Sequence, residues 1–399
     1  MSLRKFLDNI KPNFEEGGKL HWLYSTYDAF ETFLYVPNHT SKSGVHIHDA
    51  RDSKRTMVIV ILALIPALLM GMYNVGYQHY LSIGVDASFI QTFIYGLLGM
   101  LPHIVVSYVV GLGIEFAMAQ IKKEEVAEGF LVSGMLIPMI VPIDTPLWMI
   151  AVATAFSVIL AKEVFGGTGY NIFNVALIAR AFLFFAYPSK MSGDQVWVRT
   201  DSTFGIGGGE VVDGLSGATP LGQIATSDVA SFSDFSFHSV TGEVLNLWDM
   251  FVGLIPGSMG EVSTLAILLG ALILIATGVG SWKTMVSVFA GGAATALLLN
   301  ALAVNLIMEM PPLYHLFLGG FAFGAVFMAT DPVTSARTEK GKWVFGFLIG
   351  VLAVLIRVFN PGYPEGMMLA ILFMNAFAPL IDFYVVDGNI KRRLKRAVK

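Results

Sequence analysis

Cysteine is missing from all 399 residues, which excludes disulfides, thiolate-held iron-sulfur clusters and cysteine nucleophiles from this polypeptide. Charge is scarce as well: Asp, Glu, Lys and Arg make up 14% of the chain against 55% hydrophobic residues, too little for a soluble globular protein of this size. The stretch 1–52 lacks the apolar core of a cleavable leader, so the first membrane helix is expected to double as the targeting signal. A dinucleotide fingerprint is missing too. Gly205-Ile206-Gly207-Gly208-Gly209 lies in a polar segment rather than a strand-to-helix turn and reads as a flexible linker. His46 and His48 flank Ile47 with no further ligands at metal spacing, so no metal centre is expected. Any electron carried here is expected to ride on an organic cofactor, and no nucleic-acid partner is expected.

What is present is long apolar sequence, in blocks near 56–73, 92–120, 128–142, 147–162, 172–187, 262–280, 284–306, 313–330, 343–358 and 366–384. Since roughly 20 residues cross about 30 Å of hydrocarbon, the expected fold is all-α and polytopic, with about ten transmembrane helices. With the amino terminus inside, the inner segments hold Lys54-Arg55, Lys122-Lys123, Lys162, Lys283, Arg337 to Lys342, and the tail Lys391 to Arg396, as the positive-inside rule requires. The segment 188–261 carries only Lys190 and Arg199 beside many acids, including Asp194, Glu210, Asp213 and Glu261, and so faces outside. Both termini are then cytoplasmic, and the basic tail is drawn to anionic lipid. The expected units are a segment 1–55, a first five-helix repeat 56–187, the outer loop 188–261, a second five-helix repeat 262–384 and the tail 385–399.

The two repeats resemble each other from Glu128-Gly129-Phe130 to Ala181-Phe182 and from Gly320-Phe321 to Ala376-Phe377. An odd number of helices separates equivalent positions, so the halves insert upside down relative to one another, a plan common in transporters. Their glycine-rich breaks, 166–171 and 360–366, fall on opposite faces. Irregular backbone at membrane depth needs protein or a cavity to satisfy it, so each break marks a ligand site.

Several polar residues stand out. Glu115 and Asp382 are acids at or near membrane depth, where an unpaired charge is costly and usually functional. Arg180 and Arg357 lie in the outer halves of their helices; each guanidinium either faces an anionic ligand or pairs with a carboxylate such as Glu261 or Glu365. The outer loop carries Asp213-Gly214-Leu215-Ser216-Gly217-Ala218-Thr219-Pro220, which alone reads as an ordinary polar turn.

The chain resembles the B subunit of the sodium-translocating NADH:quinone oxidoreductases, and more distantly the D subunit of the related Rnf ferredoxin:NAD oxidoreductases. The resemblance runs nearly end to end, through Phe14 to Lys19, Glu163 to Gly169, Ala181 to Pro188, Ile255 to Ser258, Gly260 to Thr264, Phe327 to Pro332, Pro361 to Met368 and Asn389 to Leu394. It implies an FMN joined by a phosphoester to Thr219, within Ser216 to Thr219. A threonine hydroxyl is a poor nucleophile unaided, so a flavin transferase is implied for maturation. A second flavin, riboflavin, would sit non-covalently near the inner break, where Asn171 and Asn174 match the family's paired asparagines. Two amides about one helical turn apart share a face and can both donate to and accept from a flavin's pyrimidine edge; Asn171 as a helix cap is the other reading. The family also implies sodium entry past Glu115, Asp382 and Asp28, and a quinone end at a Gly-Gly pair, where this chain departs with Gly111-Leu112-Gly113.

The function implied is the membrane subunit of a respiratory pump in a bacterial inner membrane. Electrons would pass from FMN through riboflavin to ubiquinone while sodium leaves the cell, with other subunits oxidising NADH. Two alternatives stay open: an Rnf-type D subunit, and a cofactor-free secondary transporter suggested by the inverted repeat alone.

Overall fold

The computed structural model describes residues 3–15, 17–35, 44, 53–124, 126, 129–193, 197–360 and 362–397. His46, His48, Glu128, Asp194 and Pro361 lie outside the described residues. The described chain is helical, with only two isolated bridges, Thr203 to Ile206 and His238 to Val244.

Two short helices, α1 (Leu3–Ile10) and α2 (Tyr24–Leu34), precede the membrane region. Tyr27 joins them by donating to the Leu7 carbonyl at 3.0 Å; burial pushes its phenol up to about 12, so the donor proton stays on. Then follow α3 (Ser53–Ser82), α4 (Phe89–Lys122), α5 (Phe130–Met139), α6 (Leu147–Phe156) and α7 (Val175–Ala186). The polar segment holds α8 (Pro220–Ala225) and α9 (Leu247–Val252). Beyond it come α10 (Thr264–Ala276), α11 (Trp282–Leu302), α12 (Leu306–Glu309), α13 (Pro312–Phe317), α14 (Phe321–Phe323), α15 (Glu339–Phe359) and α16 (Met367–Ala397).

Among the described residues six helical runs are long and apolar enough to cross a bilayer, and α5, α7 and α10 are shorter apolar helices. At 1.5 Å per residue α5 spans about 15 Å, half the hydrocarbon thickness. Breaks of this kind expose helix ends inside the protein, where side chains must satisfy them. The long helices have local start signals as well: Ser88 and Gln91 form a capping box at the head of α4.

Helix α3 packs on α4 and α10, α4 on α5 and α6, and α11 on α15, while α7 touches α16. Basic residues end α4 and α16 on one face of the bundle, hereafter the basic face. The polar segment 188–261 covers the opposite, loop face; there the Val212 amide donates to the Ser82 carbonyl at 2.9 Å.

That segment is folded, and the flexible-linker expectation for Gly205 to Gly209 fails. Gly207 has φ +80°, and a Cβ added to it would lie 2.1 Å from the Tyr95 ring. The Gly208 amide donates to His79 Nε2 at 3.1 Å, and the His79 ring stacks on Tyr95 with centroids 3.9 Å apart. These glycines let backbone lie flat against two rings at the ends of α3 and α4. Elsewhere in the cap, the Phe232 amide and Ser231 hydroxyl donate to Glu309 and hold its carboxyl below the usual range.

Candidate functional site

On the loop face Thr219 is the N-cap of α8, with Pro220 at the first helical position. Its Oγ1 accepts from the Gly222 amide at 3.1 Å and donates to the Gly193 carbonyl at 3.3 Å. The hydroxyl is half-buried at a pocket lined by Leu221, Pro256, Phe317, Glu261 and Glu365. This pocket encloses about 30 Å³, room for about two waters. Ser216 is exposed, and its amide donates to the Val240 carbonyl at 3.1 Å.

Behind the pocket Arg180, from α7, is 2% exposed and pairs with Glu261 at 2.9 Å and with Glu365. It also donates to the Ile140 carbonyl, capping the broken end of α5. Carboxylate pairing is thus present at Arg180. Arg357 meets no carboxylate side chain among the described residues. It donates instead to the carbonyls of His315, Leu318, Pro364 and Glu365, at 2.7 to 3.1 Å, tying the end of α13 to the start of α16.

Toward the basic face lies a larger, partly open cavity with a volume of about 150 Å³. Asn171, Asn174, Thr168, Lys162, Asp331 and Phe327 contribute to its wall. The two asparagines do meet here, although not on a helix face. Both precede α7, and the cap is Asn174, not Asn171: its Oδ1 accepts from the Leu177 amide at 3.2 Å. Asn174 Nδ2 donates to Asp331 at 3.3 Å, and Asp331 also accepts from Thr334 Oγ1 and the Val333 amide, each at 3.0 Å. Asn171 Nδ2 reaches only the Phe173 carbonyl, at 3.1 Å. The buried Thr168 hydroxyl has no hydrogen-bond partner among the described residues. A wall with an amide, a carboxylate and an unpaired hydroxyl among apolar side chains suits a flat heterocycle with a polar edge.

Glu115 is buried in α4 and forms an ion pair with Lys162, which is 3% exposed. Lys162 therefore belongs to the interior, not to the exposed basic clusters of the topology argument. Asp382 receives the Arg337 amide at 2.7 Å and the Thr338 amide at 3.0 Å, so it supports the start of α15. Asp28 lies half-buried on α2, which packs on α4. Gly111 and Gly113 do not form one surface. A Cβ at Gly111 would lie 1.9 Å from the Phe130 ring, whereas Gly113 is exposed with nothing within 4 Å.

Sequence reasoning left Lys162 and Asp331 without roles. Each ends an apolar run, and an ionisable residue there is the signal that marks both. Lys162 was hidden by its agreement with the positive-inside count, Asp331 by lying just past the block 313–330.

A family model described as the NQR2, RnfD, RnfE family matches residues 40–391. The B subunit of the Na(+)-translocating NADH-quinone reductase of Ectopseudomonas mendocina (strain ymp) is 45% identical over 100% of both chains. The proteins of that name from Chromohalobacter salexigens and Klebsiella pneumoniae (strain 342) are each 44% identical over 99% of this chain, and over 97% and 100% of their own lengths. With agreement of this extent, the chain belongs to the NQR2, RnfD, RnfE family.

Proposed function

We propose that this chain is the multi-pass membrane subunit of a sodium-translocating NADH:quinone oxidoreductase, in complex with other subunits. Full-length identity to relatives of that name supports this reading. It also favours the quinone system over the Rnf type; turnover of the purified complex with NADH and ubiquinone decides between them. The loop face is outward and both termini cytoplasmic, in a bacterial inner membrane, with the chain organised as two inverted five-helix repeats.

In this reading Thr219 holds FMN by a phosphoester and the basic-face cavity holds riboflavin. Bound flavin supplies reversible one- and two-electron chemistry, and the protein supplies binding, orientation and electrostatics. The observation that carries the assignment is the cavity itself, with Asn171, Asn174 and Thr168 contributing polar groups to its wall. About 150 Å³ encloses roughly one six-membered ring, leaving the rest of a tricycle and its side chain in the open part. At Thr219, esterification removes the hydroxyl proton, so the bond to Gly193 is lost while the oxygen still faces the Gly222 amide. A flavin transferase makes that bond.

Helix α7 joins the two positions: Asn174 caps one end and Arg180 sits six residues on, about 9 Å along the axis. Glu115 faces an open vestibule on the basic face, where we place sodium entry, with Asp28 and Asp382 farther along the same face. Quinone approaches the exposed side of α4 at Gly113, and Gly111 serves packing. Mass spectrometry of the Thr219 peptide, from chain co-expressed with its partners and the transferase, tests the assignment. An unmodified peptide in an active complex would overturn it and favour a transporter without flavin.

A further inference from the structure

The vestibule beside Glu115 has a volume of about 290 Å³ and is lined by Glu115, Lys122, Glu124, Lys162, Glu163 and Thr168 among others. Three acids against two bases leave it net negative, a bias toward cations. Lys162 and Thr168 line this vestibule and also the asparagine cavity, so they form the partition between the two spaces. Lys122 is engaged separately, 2.8 Å from Glu163. Among the described residues, Lys162 is thus the one cation that belongs to both walls.

The backbone around it is irregular. The described residues contain two π-helical segments, Ser157–Lys162 and Gly324–Met328. Lys162 ends the first, while Phe327 and Asp331, at and just beyond the second, line the same cavity. Such segments recur at functional sites because the extra residue per turn re-aims side chains and loosens the hydrogen-bond ladder. The Lys162 ammonium rides on a flexible four-carbon stem rather than a rigid fork.

Building on the flavin reading of the cavity, we propose that Lys162 is a positioning residue that exchanges between Glu115 and the cavity. One electron leaves the outer cofactor and arrives in the cavity, which gains one negative charge. The Lys162 ammonium turns toward that charge and releases the Glu115 carboxylate. One sodium ion from the vestibule takes its place, so one electron is balanced by one cation. Oxidation by quinone returns the lysine to Glu115 and expels the ion. Two cations on one buried carboxylate repel each other strongly at such short range, which favours exchange over joint binding.

The test is a redox titration of the non-covalent flavin in the purified complex at several sodium concentrations. In the unmodified complex, each tenfold rise in sodium should raise the reduced-to-oxidised ratio at fixed potential by up to tenfold. The double variant Lys162→Met, Glu115→Gln removes both charges together and should abolish this response while keeping the Thr219 adduct. Lys162→Arg keeps the charge and gives a second test that leaves Glu115 ionised. Its planar fork grips Glu115 with two bonds, so half-response should need at least threefold more sodium. A sodium-independent ratio in the unmodified complex, a response surviving in the double variant, or an arginine curve superimposed on the original would each overturn the proposal. Absence of any non-covalent flavin in an active complex would instead overturn the underlying cavity assignment.

Discussion

The two faces of this protein differ in how much space they leave and in how far their polar groups are already committed. On the loop face the enclosed space is about 30 Å³, and the charges around it are already committed, Arg180 to two carboxylates and Arg357 to four carbonyls. The basic-face cavity encloses five times as much and keeps an unpaired hydroxyl. A site that cannot surround a large ring needs a tether, and a site that can surround one end of it does not. The contrast fits the proposal of one attached and one dissociable flavin in the same chain.

The sharpest way to break that contrast is at the tether. Thr219→Val should abolish covalent flavin entirely, read as in-gel fluorescence of the denatured chain, and leave the extractable flavin unchanged. If fluorescence persists, the tether lies elsewhere. Next in size is Arg180→Met, which leaves Glu261 and Glu365 buried without their cation; loss of a buried partner costs about 3–5 kcal/mol, so the yield of folded complex should collapse. Normal yield and melting would show that the cluster is not a structural lock. Gly111→Ala drives a methyl into the Phe130 ring, and overpacking of this kind costs about 1–3 kcal/mol, measurable as a lower Tm of the complex.

Asn171→Ala probes the enclosing site. Losing one hydrogen bond worth about 1 kcal/mol should weaken non-covalent flavin binding roughly fivefold, with the Thr219 adduct intact; loss of both flavins together would collapse the distinction between the sites. Last, Gly113→Ala points into open space within α4 and should raise stability by no more than about 1 kcal/mol. A drop in quinone turnover at unchanged stability would place quinone on that side of α4.

The bundle was legible because lipid demands runs of apolar residues. Half-length helices were harder. Block 128–142 is largely apolar, yet α5 stops at Met139, where a guanidinium contributed 40 residues later meets the Ile140 carbonyl. The glycine run 205–209 has the same composition whether loose or pressed on rings, so its packing against Tyr95 and His79 was invisible. Asn171 and Asn174 were found as a pair, but which one caps α7 depends on where the turn closes. Lys162 shows the cost of a rule applied by counting: a lysine inside the protein and one at the membrane surface contribute equally to a tally of positive charge.

The shortness of α7 has an electrical consequence. Only about 9 Å of largely apolar protein separates Asn174 from Arg180, with an open cavity on one side and a polar cap on the other. A voltage across the bilayer therefore drops steeply over this stretch instead of spreading over about 30 Å of lipid. A charge travelling the short path does nearly the electrical work of a full crossing, about 2.3 kcal/mol for each 100 mV. Redistribution of electrons between the two faces when vesicles are polarised, or its absence, reports whether the field is focused there.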